Sequence, residues 1–235
     1  MKALILAAGL GTRLRPITDD RPKSMVEVNG KPILFKQVDN LLENGIKDIT
    51  VIAGYKSEMM INAIGRRYKD VRIIVNDVYD KTNNMYSAYM ASDYMYDEKF
   101  LLMNADVFYD SAIIKELIKN EYENSIVVEE GAYNDENMKV VCIGDRITEI
   151  SKAISENDAY GVSIDVYKFS KEGSKIFFDR IKEFIEDRNE LNQWTEVALD
   201  EILEIVEFKP CPLKGRWMEI DNHDDLKRAE SIFND

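Results

Sequence analysis

Residues 3–23 read Ala3-Leu4-Ile5-Leu6-Ala7-Ala8-Gly9-Leu10-Gly11-Thr12-Arg13-Leu14-Arg15-Pro16-Ile17-Thr18-Asp19-Asp20-Arg21-Pro22-Lys23. Six apolar residues in a row, broken at Gly9, have the pattern of a strand buried on both faces that opens into a loop. Residues 32–44 carry Ile33, Leu34, Val38, Leu41 and Leu42 at the spacing of an amphipathic helix, ended by Asn44-Gly45. Further strands are expected at 49–53, 71–75 and 100–103, the last ending at Asn104-Ala105-Asp106. Helices fall between them, one capped by Ser57 and running through Ile64, another over 85–95. Strand alternating with helix predicts a mainly parallel sheet covered on both faces.

The second half changes character. Strands are expected at 125–129, 139–143, 146–150 and 161–169, with Gly144-Asp145 as a hairpin turn. Helices follow at 172–187 and 196–204, then a strand at 217–220 and a last helix at 224–233. No repeat, low-complexity tract or linker interrupts the 235 residues. The expectation is one α/β domain over residues 1–235. It is Rossmann-like, with a mixed, mainly parallel sheet, helices on both faces and a small antiparallel insertion.

Composition narrows the function. The formal charge of −13 disfavours nucleic acid and anionic membrane surfaces, both of which need basic patches. The apolar run at 3–8 is far short of the roughly 20 residues of a membrane span. Gly9, Gly11, Arg13 and Arg15 stand where a signal-peptide cleavage site would fall, so a cytoplasmic location is expected. Cys142 and Cys211 lack metal-ligand spacing and read as reduced packing residues. The first 31 residues oppose the overall charge. Lys2, Arg13, Arg15, Arg21, Lys23 and Lys31 outnumber Asp19, Asp20 and Glu27, which suits a small anionic ligand.

Glycines directly after a buried strand let the backbone approach a phosphate and present N–H groups to it. Arg13 adds a planar fork of donors and Lys23 a mobile point charge. Two common phosphate loops are excluded. A dinucleotide fingerprint needs a third glycine where Leu14 stands, and no Gly-Lys-Ser/Thr closes a Walker loop. Asp106 and Asp221 each follow an expected strand, and magnesium favours one or two carboxylates together with phosphate oxygens.

The string Leu-Ala-Ala-Gly-x-Gly-Thr-Arg-Leu-x-Pro-x-Thr, followed by Pro22-Lys23, resembles the N-terminal signature of nucleotidyltransferases that make sugar nucleotides and related activated metabolites. The resemblance implies that Leu6, Ala7, Ala8, Gly9, Gly11 and Thr12 meet the nucleotide, and that Arg13 and Lys23 meet its triphosphate. It implies magnesium on Asp106 and Asp221, with Ala105 beside the nucleotide. Many relatives carry aspartate where Asn104 stands. Glu149-Ile150-Ser151-Lys152 resembles the segment whose lysine holds the acceptor phosphate, and Trp194 and Glu196 fall where relatives touch the acceptor. Arg13, Lys23, Asp106, Lys152 and Asp221 are thereby the candidate catalytic residues. His223 reads as a helix-start residue rather than a base.

Asn83-Asn84, in place of the glycine-rich stretch of sugar-nucleotide enzymes, resembles the CTP-dependent branch acting on phosphocholine, aminoethylphosphonate and phosphoglutamine. Asparagine amides offer both donors and acceptors to a pyrimidine edge. Phosphocholine enzymes place a tryptophan near Asn137. Here Asp135, Glu136 and Lys139 surround that position, which favours phosphoglutamine and, by resemblance, capsule phosphoramidate synthesis. Tyr133, Tyr160 or Trp194 remain candidates for a cage around a quaternary ammonium. The expected partners are CTP and a small phosphorylated metabolite. A dTTP- or UTP-dependent sugar-1-phosphate enzyme and a catalytically silent nucleotide sensor are the alternatives.

Overall fold

The computed structural model describes every residue except 132, 134, 135 and 235. In chain order, β1 (Lys2–Ala7) leads through short 3-10 turns to a small ribbon, β2 (Glu27–Val28) and β3 (Lys31–Pro32). Then come α1 (Ile33–Glu43), β4 (Asp48–Ala53), α2 (Ser57–Arg67), β5 (Val71–Val75), α3 (Asn84–Tyr89), α4 (Ser92–Met95), β6 (Phe100–Asn104), β7 (Val107–Tyr109) and α5 (Ser111–Lys119). The rest is β8 (Ser125–Glu129), β9 (Lys139–Ile143), β10 (Arg146–Ser151), β11 (Gly161–Phe169), α6 (Lys171–Lys182), α7 (Thr195–Ile202), β12 (Lys209–Pro212), β13 (Trp217–Glu219) and α8 (His223–Ile232).

The main sheet runs β5-β4-β1-β6 in parallel, then turns antiparallel at β11, which also pairs with β8 and β9. This is the expected Rossmann-like sheet with an antiparallel part. Strand β1 shows why its sequence is apolar throughout. Leu4 and Leu6 face a core shared with Met85, Phe100, Phe177 and Leu199, while Ala3, Ile5 and Ala7 face another with Leu34, Val38, Met60 and Ile114. Side chains alternate across the pleat, so covering both faces requires an apolar residue at every position. Leu4 and Ile5 are each fully buried, worth about 1.5–3 kcal/mol apiece.

From β1 the chain pairs first with β4 on one side and returns to β6 on the other. The crevice beyond the carboxyl ends of β1 and β6 is where doubly wound sheets place ligands.

Three expectations need correction. Ser57 does not cap α2: the cap is Lys56 at φ 53, with no side-chain cap bond, and Ser57 is the first helical residue. The expected helix over 85–95 is two short helices meeting at Met90-Ala91. Helix α5 and strands β7 and β12 were not anticipated. Lys209-Pro210-Cys211-Pro212 disguises β12 because proline cannot donate to a ladder, and the structure tolerates it because this strand pairs with β8 alone. The Gly144-Asp145 turn stands, with Gly144 at φ 63 joining β9 to β10.

Candidate active site

Beyond the ends of β1 and β6 lies a cavity of about 340 Å³. Leu6, Ala7, Ala8, Gly9, Arg13, Lys23, Asn83, Asn84, Ala105, Asp106, Lys152, Trp194, Glu196 and Asp221, all anticipated, line it. Gly11 and Thr12 do not. Gly11 is instead a steric necessity: at φ 62, a Cβ there would stand 2.6 Å from Lys23 Cβ. The Thr18 hydroxyl donates to Gly11 O at 2.8 Å, pinning the loop so that Lys23 points across it.

Lys23 Nζ lies 3.0 Å from Asp106 Oδ2 and 2.5 Å from Asp221 Oδ1, bridging carboxylates 115 residues apart in the chain. Arg13 Nη2 reaches Asp221 Oδ2 at 2.9 Å. Burial would lower the pKa of the Lys23 ammonium, but the charges of Asp106 and Asp221 outweigh it and raise it above lysine's ordinary value. Burial likewise works against ionised Asp221, yet Lys23 and Arg13 hold its carboxyl below the usual range.

The scaffold beneath this triad is built from polar contacts. Gln37 on α1 donates to Asn104 O and Val107 O, both at 2.8 Å, fixing the β6–β7 corner that carries Asp106. Strand β13 pairs with β7 in the register Glu219↔Val107, and Ile220 N donates to Asp106 O at 2.9 Å. Asn222 then caps α8 in a reciprocal box with Asp225, which also accepts from Asp221 N. His223 opens α8 as expected, its Nε2 2.7 Å from Arg15 O.

Asp106, Glu219 and Asp221 each offer an oxygen within 4.8 Å of the others. Asp106 Oδ1 is buried with no hydrogen-bond partner. Oxygen donors in this number and an orphaned carboxylate oxygen fit a hard divalent cation such as magnesium. Burial first, then the charges of Asp106, Asp165 and Asp221, pushes Glu219 up to about 9, against the opposing pull of Lys23. Glu219, two residues before Asp221, had no role in the sequence reading.

At the other end of the cavity lining, the Lys152 ammonium stands 5.1 Å over the Trp194 ring. Asn83 caps α3 by accepting from Asn84 N at 2.8 Å, so part of its amide is structural. Asn84 Oδ1 accepts from Thr195 N at 2.9 Å, and its Nδ2 donates to Asn104 Oδ1 at 3.3 Å. Asn137 and Glu136 line the cavity, Lys139 is buried in β9, and Asp135 lies outside the described residues. Tyr133 and Tyr160, considered for an aromatic cage, are not among the lining residues. The Tyr133 hydroxyl donates to Tyr160 O at 3.0 Å and that of Tyr160 to Glu130 at 2.9 Å.

Asn76, Tyr79, Ser87, Asn104 and Asp165 also line the cavity, although the sequence reading gave none of them a site role. Asp165 had a visible signal, a lone carboxylate within the strand Gly161–Phe169. Burial, then Glu196 and Asp106, lifts its carboxyl to about 7, and burial raises that of Glu196 as well.

The sequence profile of the nucleotidyl transferase family matches residues 2–234. The chain is 30% identical over 251 aligned positions to the CTP:phosphoglutamine cytidylyltransferase of Campylobacter jejuni, covering 97% of this chain and 98% of that protein. It is 34% identical over 160 residues to the UTP–glucose-1-phosphate uridylyltransferase of Haloferax volcanii, a segment covering 66% of this chain and 65% of that protein. The solved CTP:phosphocholine cytidylyltransferase of Streptococcus pneumoniae superposes with a TM-score of 0.81 at 27% identity, covering 98% of both chains.

Proposed function

The chain belongs to the nucleotidyl transferase family, and from that premise we propose that it transfers CMP from CTP to a small phosphorylated metabolite with release of pyrophosphate. The observation that carries this reading is the collection, in one cavity, of the signature cations Arg13 and Lys23, the carboxylates Asp106, Glu219 and Asp221, and Lys152.

In the reaction an acceptor phosphate oxygen forms a bond to the α-phosphorus of CTP, and the bond from that phosphorus to the β-phosphate bridging oxygen breaks. The nucleophile is already ionised at neutral pH, so the site needs positioning and charge neutralisation rather than a general base. Arg13 and Lys23 leave their carboxylate partners to meet the triphosphate and offset the charge that builds on departing pyrophosphate. Lys152 holds the acceptor phosphate. Magnesium, when bound by Asp106, Asp221 and Glu219, supplies further neutralisation of phosphate oxygens.

CTP is favoured by Asn83-Asn84 at the head of α3 and by the two relatives whose names specify it. Phosphoglutamine is the favoured acceptor, because Asn137 and Glu136 line the cavity where a choline cage would need a ring. A preference of at least roughly tenfold over phosphocholine is expected, about 1.4 kcal/mol of differential binding. The Haloferax relative supports a second reading, a UTP-dependent sugar-1-phosphate enzyme. Crossing CTP, UTP and dTTP with phosphoglutamine, phosphocholine and glucose-1-phosphate, with pyrophosphate release as readout, separates the two. Turnover with UTP and glucose-1-phosphate, and none with CTP, would refute the first.

A further inference from the structure

Asp165 sits in β11 with φ 59, where the pairing with β8 shifts register between Ser163 and Tyr167. Its Oδ2 accepts from Asn104 Nδ2 at 3.0 Å. Its Oδ1 lies 2.9 Å from the Tyr167 hydroxyl, and the same hydroxyl lies 2.9 Å from Glu196 Oε1. A phenol has one hydrogen. Ser163 Oγ, 3.2 Å away, can donate its own hydrogen to the phenol oxygen but cannot serve either carboxylate through it. Two carboxylates therefore compete for the single phenolic hydrogen.

No described cation pairs with either carboxylate. Lys23 is committed to Asp106 and Asp221, Arg13 to Asp221, and Lys152 to the face of Trp194. Neither Asp165 nor Glu196 forms an ion pair among the described residues, although Glu196 is only 3% exposed. Both carboxylates line the same cavity as Lys152. Buried carboxylates without a counter-charge are costly, and a ligand that brings one relieves the cost on binding.

We propose that Asp165 and Glu196 are the specificity-determining pair of this site, taking a positively charged nitrogen of the acceptor while Lys152 takes its phosphate. The acceptor class is thereby a phosphorylated amine whose ammonium carries N–H donors. Such a group supplies the hydrogens that Tyr167 cannot, whereas a neutral acceptor of the same shape leaves both carboxylates as they were. Asn104 belongs to the arrangement as a positioning residue: a carboxylate at that place would face Asp165 across 3.0 Å. The proposal rests on the transferase reading for calling the ligand an acceptor.

The test compares O-phosphoethanolamine with propyl phosphate, which replaces the ammonium by a methyl group, by calorimetric titration of the full chain. Titrations are run alone and with magnesium and a non-hydrolysable CTP analogue. The wild type is expected to prefer the amine at least about tenfold, the effect of hydrogen bonds to a charged group. In Asp165→Asn combined with Glu196→Gln the preference for the amine over propyl phosphate should fall to about twofold or less. Asparagine tolerates the positive φ at 165, and a native circular dichroism spectrum and retained binding of the CTP analogue check the fold of the double variant. Equal affinities in the wild type under both conditions, or a preference that survives the double substitution, would overturn the proposal. Binding of the CTP analogue is scored separately, so loss of the transferase reading is distinguishable from loss of the amine site.

Discussion

Replacing Lys23 by methionine removes the charge and keeps the length of the side chain, so it tests the centre of the site directly. Without the ammonium, Asp106 and Asp221 lose partners at 3.0 and 2.5 Å, and only Arg13, on the far oxygen of Asp221, remains. Breaking a buried ion pair by deleting one partner costs about 3–5 kcal/mol. These side chains keep 15–25% exposure, so water absorbs part of that and about 2–3 kcal/mol is expected. For a chain of this size that is a fall in Tm of roughly 4–12 °C in chelator. The pH window follows from the signs. Lys23 is raised above 10.5 and Asp221 lowered below 3.8, so the pair's stabilisation is present between those values. It is lost as pH falls through the lowered Asp221 value or rises through the raised Lys23 value. Because the vacated carboxylates favour a divalent ion, Lys23→Met should also bind manganese more tightly than wild type without nucleotide, seen by loss of the free-ion electron paramagnetic resonance signal. Turnover should nevertheless drop by about 10²–10³, since transition-state charge loses a donor. A melting temperature in chelator within a degree of wild type, with unchanged manganese affinity, would refute the bridging role.

Asp221→Asn, which keeps the shape and removes a metal oxygen's charge, should lower turnover by orders of magnitude with a native circular dichroism spectrum. Excess chelator should silence the wild type, and persistence of activity there would exclude the metal assignment. Lys152→Ala should raise the apparent constant for the acceptor by roughly ten- to a hundredfold and that for CTP much less; equal effects in steady-state kinetics would remove its acceptor role. For Asp165, whose carboxyl is raised from 3.8 to about 7, the folded state gains a proton relative to the unfolded chain. Its stabilisation is full below about pH 4 and lost as pH rises to about 7, so denaturant titrations of the metal-free protein should show a smaller decline over that range in Asp165→Asn than in wild type, the remainder coming from the likewise raised Glu196 and Glu219.

Much of this protein is legible along the chain because the physics involved is local. An all-apolar run ending in Gly9 reads as a strand covered on both faces, and the alternation that follows predicts a mainly parallel sheet, whose order β5-β4-β1-β6 the structure supplies. Apolar spacing located α1 and would have located α5 as well, since Ile113, Ile114 and Leu117 form its buried stripe. Arg13, Lys23 and Asp106 follow strand ends or the signature loop, where ligand chemistry concentrates. What the sequence could not express is register and cross-chain proximity. Glu219 acts beside Asp106 only because β13 pairs with β7 in one particular register, as a shift by one residue would turn its side chain to the other face. Prolines concealed β12, whose place beside β8 at the edge of the sheet comes from tertiary packing. Asp165 looked like a blemish in a buried strand, and its meaning rests on a positive φ, a register shift and two partners, Asn104 and Glu196, that come from distant parts of the chain. The sequence by itself determined the mainly parallel sheet, the glycine- and arginine-rich loop after β1 and its cations. Only the tertiary structure decided which carboxylates converge and which of them lack a counter-charge, because that depends on where separate strands end relative to one another.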